Sequence, residues 1–148
     1  MEKPPAEQGK PPVATRERRD DARHHYEMSL ALQILFPEET FTPVTYDCKS
    51  HDVSLRGMRI VHEQLPLSVY LKLLMTPRYT RLSFTNAFNG EIIKLTGRIV
   101  WIDYRKPIAT EPGGLCYLAV SFEERENHDL TPYMEFVRGI HAHYPVGV

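Results

Sequence analysis

Cysteine is scarce: Cys48 and Cys116 are the only two in 148 residues. Two thiols are too few for a disulfide framework and point to reduced cysteines in a cytosolic protein. Long apolar runs are missing too. No stretch approaches the roughly 18 residues of a membrane span. The first apolar segment, Met28 to Phe36, is broken by Ser29 and Gln33 and lies too far in to be a secretory signal. Neither sign of charge is in excess, with 18 basic against 19 acidic side chains and a formal charge of −1. A field that nearly cancels drives neither nucleic-acid binding nor membrane insertion, so any anion must be recognised by a local cluster. There is no GxSxG, HExxH, GxxxxGKS/T or glycine-rich dinucleotide loop, which argues against an enzyme. These absences leave a soluble chain of single-domain size, 42% hydrophobic and able to build one core.

Residues 1–15 hold four of the twelve prolines and almost no large apolar side chains. Such a composition cannot offset its own ordering entropy, which predicts a flexible, partly polyproline-II arm ahead of a domain over 16–148. A charged stretch, Arg16 to Arg23, follows it. From Met28 the pattern becomes strand-like. Leu30, Leu32, Ile34 and Phe36 alternate with Ala31, Gln33 and Leu35, the period of a sheet with one buried face. Thr42 to Cys48, Met58 to Val61 and Arg81 to Phe84 read as further strands. Val69 to Met75 is too short to separate helix from strand by periodicity, and the following Pro77 favours strand.

The clearest strand runs from Glu91 to Tyr104, with Ile93, Leu95, Ile99 and Trp101 on one parity. Gly97 within it predicts a bulge or a tight bend. Lys106 to Gly114 reads as a turn, and Leu115 to Phe122 as a returning strand with Cys116, Leu118, Val120 and Phe122 facing one way. Only the C-terminus reads as helix. Thr131 suits an N-cap and Pro132 the first helical position, and Tyr133, Phe136, Val137 and Ile140 form one stripe. Six or seven short strands closed by one amphipathic helix make an all-β, antiparallel barrel the expected fold.

Seven histidines raise the question of a metal. His141 and His143 are two apart and so fall on different helix faces, and Cys48-x-x-His51 is a lone pair. Exposed histidines account for the pattern better than a metal centre. Two other stretches have complementary chemistry: Arg18-Arg19-x-x-x-Arg23, and Asp52-x-Ser54-x-x-Gly57 entering a strand. Guanidinium forks grip phosphate oxygens and also fit the O6/N7 edge of guanine. Asp52 only accepts, which suits the N1–H and N2–H donors of guanine. Ser54 can donate to a phosphate oxygen, and Gly57 allows a sharp turn or a close approach. Together they describe a pocket for a guanine nucleotide. Taken singly, the first stretch is also what a solvated charge run looks like, and the second an Asx turn feeding a strand.

In this order and context the two motifs resemble those of the PilZ domain family, bacterial receptor modules for cyclic di-GMP. The likeness extends through Thr96-Gly97-Arg98-Ile99-Val100-Trp101 and Leu118-Ala119-Val120-Ser121-Phe122. It implies a six-stranded antiparallel β-barrel with a C-terminal α-helix, and a ligand held outside the barrel. By resemblance, Arg19 and Arg23 bind guanine and phosphate, Asp52 reads a guanine edge, Ser54 contacts the ligand and Gly57 permits the turn. Arg18, just before the motif, resembles the version that holds an intercalated pair of ligands rather than one. Arg56 and Arg59 fall outside the strict motif. The implied protein is a cytoplasmic cyclic di-GMP receptor without catalysis, cofactor or metal. It would order its arginine segment on binding and signal to a separate effector protein. The alternative is an adaptor of the same fold that works without the nucleotide.

Overall fold

The alternating segments form seven antiparallel strands in a computed structural model that describes residues 23–36, 43–74, 79–105, 113–124 and 128–144. In chain order these are β1 (His24–His25), β2 (Ser29–Leu35), β3 (Thr45–Ser54), β4 (Gly57–Leu65), β5 (Tyr79–Thr85), β6 (Ile92–Arg105) and β7 (Gly114–Phe122). Helix α1 (Leu67–Leu73) follows β4, and α2 (Thr131–His143) follows β7. The ring order is β3-β2-β5-β6-β7-β4, closed by pairing of β4 with β3. Closure into a barrel removes the exposed edges an open sheet would carry. The six-stranded barrel and C-terminal helix match the expected fold, and β1 is an additional strand that the charge run gave no reason to expect. The proposed arm over 1–15 lies outside the described residues, as does most of the Lys106–Gly114 turn.

Strand β3 organises the side of the barrel that matters most. Its first half pairs with β2, its last residues pair with β1, and its other edge pairs with β4. Between β1 and β2 the chain leaves the ladder, and Ser50 fills the gap: its hydroxyl donates to the Tyr26 carbonyl and accepts the Met28 N–H at 3.0 Å. A buried backbone break is thereby satisfied by one side chain.

Alternation delivers the core. Leu30, Leu32 and Ile34 from β2, Leu82 and Phe84 from β5, and Cys116, Leu118, Val120 and Phe122 from β7 all point inward. The stripe of α2 caps this interior, with Phe136 at 5.0 Å from the Phe84 ring and Tyr133 at 5.0 Å from Phe122. Burial raises both thiols, Cys48 and Cys116, to a pKa of about 12, so they are protonated and unreactive near neutrality.

Three local readings are corrected. Val69 to Leu73 lies in helix α1, not in a strand. Pro66 immediately precedes this helix, Leu73 is buried, and Tyr70 stacks on Tyr104 at 4.3 Å. Tertiary packing decides a segment too short to declare itself. Next, Trp101 faces out although its parity predicts inward. The β6–β7 register shifts between Ile99 and Trp101, so the extra residue turns Trp101 out and Ile102 and Tyr104 in. The bulge therefore sits three residues beyond Gly97. Finally, Thr131 is the first helical residue rather than the N-cap. Leu130 is drawn into the core, and the Asp129 carboxylate accepts the Thr131 N–H at 2.9 Å, a bond that lowers the Asp129 pKa.

Gly97 serves a packing need. A Cβ there would stand 2.5 Å from Val120 Cγ1 and 2.8 Å from Phe122 Cδ1. Gly97→Val is expected to destabilise the barrel by about 1–3 kcal/mol, read as a lower urea midpoint. An unchanged midpoint would show that β6 and β7 can separate there at no cost.

Candidate functional site

Asp52 is a carboxylate at 8% exposure, and a charge so withdrawn from water must be paired. Its neighbours supply the pairing. Arg23, just before β1, donates from Nη1 to Oδ1 at 3.0 Å. On the other oxygen, His51 Nδ1 lies at 3.3 Å and Arg59 Nε at 3.6 Å. The geometry follows from register: His25 on β1 stands opposite Asp52, and Asp52 opposite Arg59 on β4. A shift in the β3–β4 ladder between Ser50 and Asp52 leaves His51 without a partner in that ladder. Of the sequence-derived candidates, the structure brings Arg23 and Asp52 into contact. Arg18 and Arg19 lie outside the described residues.

Ser54 ends β3 and Gly57 begins β4, joined by the two-residue turn of Leu55 and Arg56. The Ser54 hydroxyl donates weakly to the Gly57 carbonyl at 3.4 Å. A Cβ on Gly57 would meet the Val120 carbonyl at 2.8 Å, so glycine is needed there for close packing of β4 on β7. Under the turn lies Tyr133 of α2, its hydroxyl 2.8 Å from the Ser54 carbonyl and 2.7 Å from the Gly57 carbonyl. Its single proton is shared between two acceptors, and burial pushes its pKa far up. Helix α2 thus fixes the turn that carries the motif.

Around Asp52 the outer face is aromatic and cationic. In register, Arg59, Ala119 and Trp101 form one row across β4, β7 and β6. The Arg59 guanidinium lies 5.7 Å from the Trp101 ring centre, and Arg105 lies 5.8 Å from that of Tyr117. His51 meets His25 edge-on at 5.1 Å and Tyr117 at 5.7 Å. Arg59 Nε is buried without a hydrogen-bond acceptor, an unmet donor beside Asp52. Planar groups with cations between them can stack a base and pair an anion. The sequence motifs omit His51, Trp101 and Tyr117: the ladder shift sets His51 beside the Asp52 carboxylate, and strand order sets Trp101 beside Arg59 and Tyr117 beside His51. Among the described residues no three His, Cys, Asp or Glu side chains group as a metal site, and no helix is long and apolar enough to cross a membrane.

Strand β1, which follows Arg23, is held from behind by histidines. The His24 ring packs 5.2 Å from His141 of α2 and 6.4 Å from Tyr144. His24 Nδ1 and His141 Nε2 are both buried without partners. Burial, then the nearby His141 and His25, lower the His24 pKa below 6.5. The unfolded chain therefore takes up the proton more readily, and the stability contributed by neutral His24 is full above about pH 6.5 and lost as pH falls toward the folded value. His62, lowered chiefly by burial, acts in the same direction. Thermal melts from pH 7.5 down to 5 are expected to fall, with a shallower slope in His24→Phe. Equal slopes would remove the role given to His24. Tyr133→Phe removes this hydroxyl from the Ser54 and Gly57 carbonyls and is expected to cost about 1–3 kcal/mol in urea unfolding.

Comparisons with known proteins bear on this arrangement. A family model described as PilZ domain matches residues 17–136. A comparison with curated proteins gives no match. Among solved structures the chain resembles the Borreliella burgdorferi PlzA protein, whose crystal structure is of a complex with c-di-GMP. The TM-score is 0.50 at 5% identity, covering 93% of this chain and 58% of that one. At such identity the likeness is one of fold, and this chain accounts for little more than half of that protein's length. The family match takes in every described strand and the first turn of α2, and by that extent the chain belongs to the PilZ domain family.

Proposed function

We propose that this chain is a cytoplasmic receptor for cyclic di-GMP, a binding module without catalysis that passes its state to a separate effector protein. The observation that carries this reading is the contact of Arg23 with Asp52, which sets a half-exposed guanidinium fork beside a buried acceptor. Family membership supports it, as does the c-di-GMP held by PlzA, a protein of similar fold.

The chemistry divides between acceptor and donors. A carboxylate has about four lone-pair sites, so Asp52 can accept guanine N1–H and N2–H while keeping a cation on its far side. Arg23, with Arg19 and Arg18 from the preceding segment, would grip phosphate oxygens or the guanine O6/N7 edge. Ser54 would turn its hydroxyl from the Gly57 carbonyl to the phosphate, and the partly exposed Arg59 guanidinium would offer its outer nitrogens. Three charge-assisted arginine contacts contribute about 1.5–3 kcal/mol each, against about 2–5 kcal/mol for ordering a segment. Micromolar affinity needs about 8 kcal/mol net, so the arginines alone fall short. Stacking adds about 1–3 kcal/mol per base, and Trp101, 46% exposed, is the ring placed to give it. An intercalated pair of ligands would stack further on itself, and Arg18 is the residue that would hold the second. Binding would draw Arg18 and Arg19 onto the face of Asp52, changing shape and charge there together, which is what an effector reads.

Calorimetric titration with cyclic di-GMP tests the reading and reports stoichiometry. Arg23→Ala is expected to weaken binding by about 10- to 150-fold with an unchanged circular dichroism spectrum. Asp52→Ala is expected to narrow the preference for cyclic di-GMP over cyclic di-AMP. Equal affinity of the unmodified protein for both nucleotides would remove the role of Asp52. No binding at all would leave the nucleotide-independent adaptor.

A further inference from the structure

On the opposite side of the barrel, over β2, β5 and β6, lies a groove of about 590 Å³ lined by Gln33, Thr45, Arg81, Ser83, Lys94 and Thr96, among others. Two register rows build its floor. Thr45, Gln33, Arg81 and Thr96 stand abreast across β3, β2, β5 and β6, and Ala31, Ser83 and Lys94 stand abreast in the next row. Arg98 continues the line of Lys94 and Thr96 along β6. Among the described residues, Arg23, Lys49, Arg59 and Arg105 each have an acidic partner, whereas Arg81, Lys94 and Arg98 have none. Among the described residues, Asp47 stands across Ala31 and Glu123 stands beside Arg98 beyond the end of β7. His128, which overhangs the groove, has both ring nitrogens engaged, accepting the Thr96 N–H at 3.1 Å and facing the Glu123 carbonyl at 2.9 Å.

We propose that this groove docks an extended acidic segment of a partner protein, with carboxylates at alternate positions along the segment. The spacing supports it. Alternate residues of a strand are about 6.6–6.8 Å apart, so Lys94, Thr96 and Arg98 repeat at the interval of alternate side chains in an extended peptide. Arg81 stands about 4.8 Å to the side, opposite Thr96, and places a cation at the middle position. Carboxylates at that period meet Lys94, Arg81 and Arg98 in turn, while Gln33, Thr45 and Ser83 offer amide and hydroxyl groups to the residues between them. A single-stranded nucleic acid fits less well, because no Phe, Tyr or Trp lines the groove around Arg81 and Lys94, and Tyr79, opposite Arg98, offers a ring at one end alone. The site is separate from the Asp52 face and does not depend on the nucleotide reading.

The test uses the whole chain, isotope-labelled, and an acetylated octapeptide of alternating Glu and Thr, with a Lys-for-Glu peptide and a short oligothymidylate as comparison probes. Nuclear magnetic resonance titration is expected to move the amide signals of Arg81, Ser83, Lys94 and Thr96 with the acidic peptide, while those of Asp52 and Ser54 stay in place. The double variant Arg81→Glu, Lys94→Glu is expected to lower peptide affinity at least about tenfold while leaving cyclic di-GMP affinity unchanged. Absence of peptide binding at millimolar concentration, shifts centred on another face, or tighter binding of the oligothymidylate to this groove would each overturn the proposal. Because the two ligands are titrated separately, failure here and failure of the nucleotide reading are told apart.

Discussion

A carboxylate withdrawn from water needs donors and cations brought to it, and at Asp52 that requirement shapes one whole side of the barrel. It gives the short strand β1 a purpose, since pairing of β1 with the end of β3 is what delivers Arg23 to Oδ1. It gives the ladder irregularity before Asp52 a consequence too, because His51 is thereby set near the second oxygen. Arg59 comes from the neighbouring strand, close enough to feel the charge but too far to hydrogen-bond. The result is a charge cluster whose donors are not all spent. An anion-binding surface needs that condition, whereas a saturated salt bridge would lack it.

Behind the cluster, packing keeps the geometry in place. Tyr133 sits in the apolar contact between barrel and α2, yet its hydroxyl reaches the carbonyls on both sides of the Leu55–Arg56 turn. His24 and His141 join β1 to the same helix. The elements that carry Arg23, Asp52, Ser54 and Gly57 therefore all rest on α2 or on strands that α2 caps. Loss of α2 packing would loosen the site before it opened the barrel, since the strand ladders are continuous around the ring.

The barrel separates its surfaces by strand order. The Asp52 face is built from the end of β3, from β4 and from β7, while the Arg81–Lys94 groove is built from β2, β5 and the start of β6. These faces lie across the ring from one another, so an anion on one does not crowd the other. Coupling between them would have to run through the shared β3 and β6 and the interior.

Much of the scaffold was legible in the sequence because one-sided burial imposes a period of two, and β2 and β7 obey it without interruption. The α2 stripe was legible for the corresponding helical reason, and the complementary chemistry of the Arg18–Arg23 and Asp52–Gly57 stretches marked them as parts of one pocket. Residue order alone determined which side chains are available: a balanced overall charge, an arginine cluster, one acceptor with a hydroxyl two positions on, and a glycine at a close contact. Only the tertiary structure decided what stands beside them. The bulge in β6 turned Trp101 toward Arg59, the ladder shift in β3 placed His51 at Asp52, and the packing of Tyr70 on Tyr104 accompanied a helix where a strand was expected. Parity along a strand survives only until one residue is inserted without a partner, and contacts between distant strands follow from ring closure, which no local pattern encodes.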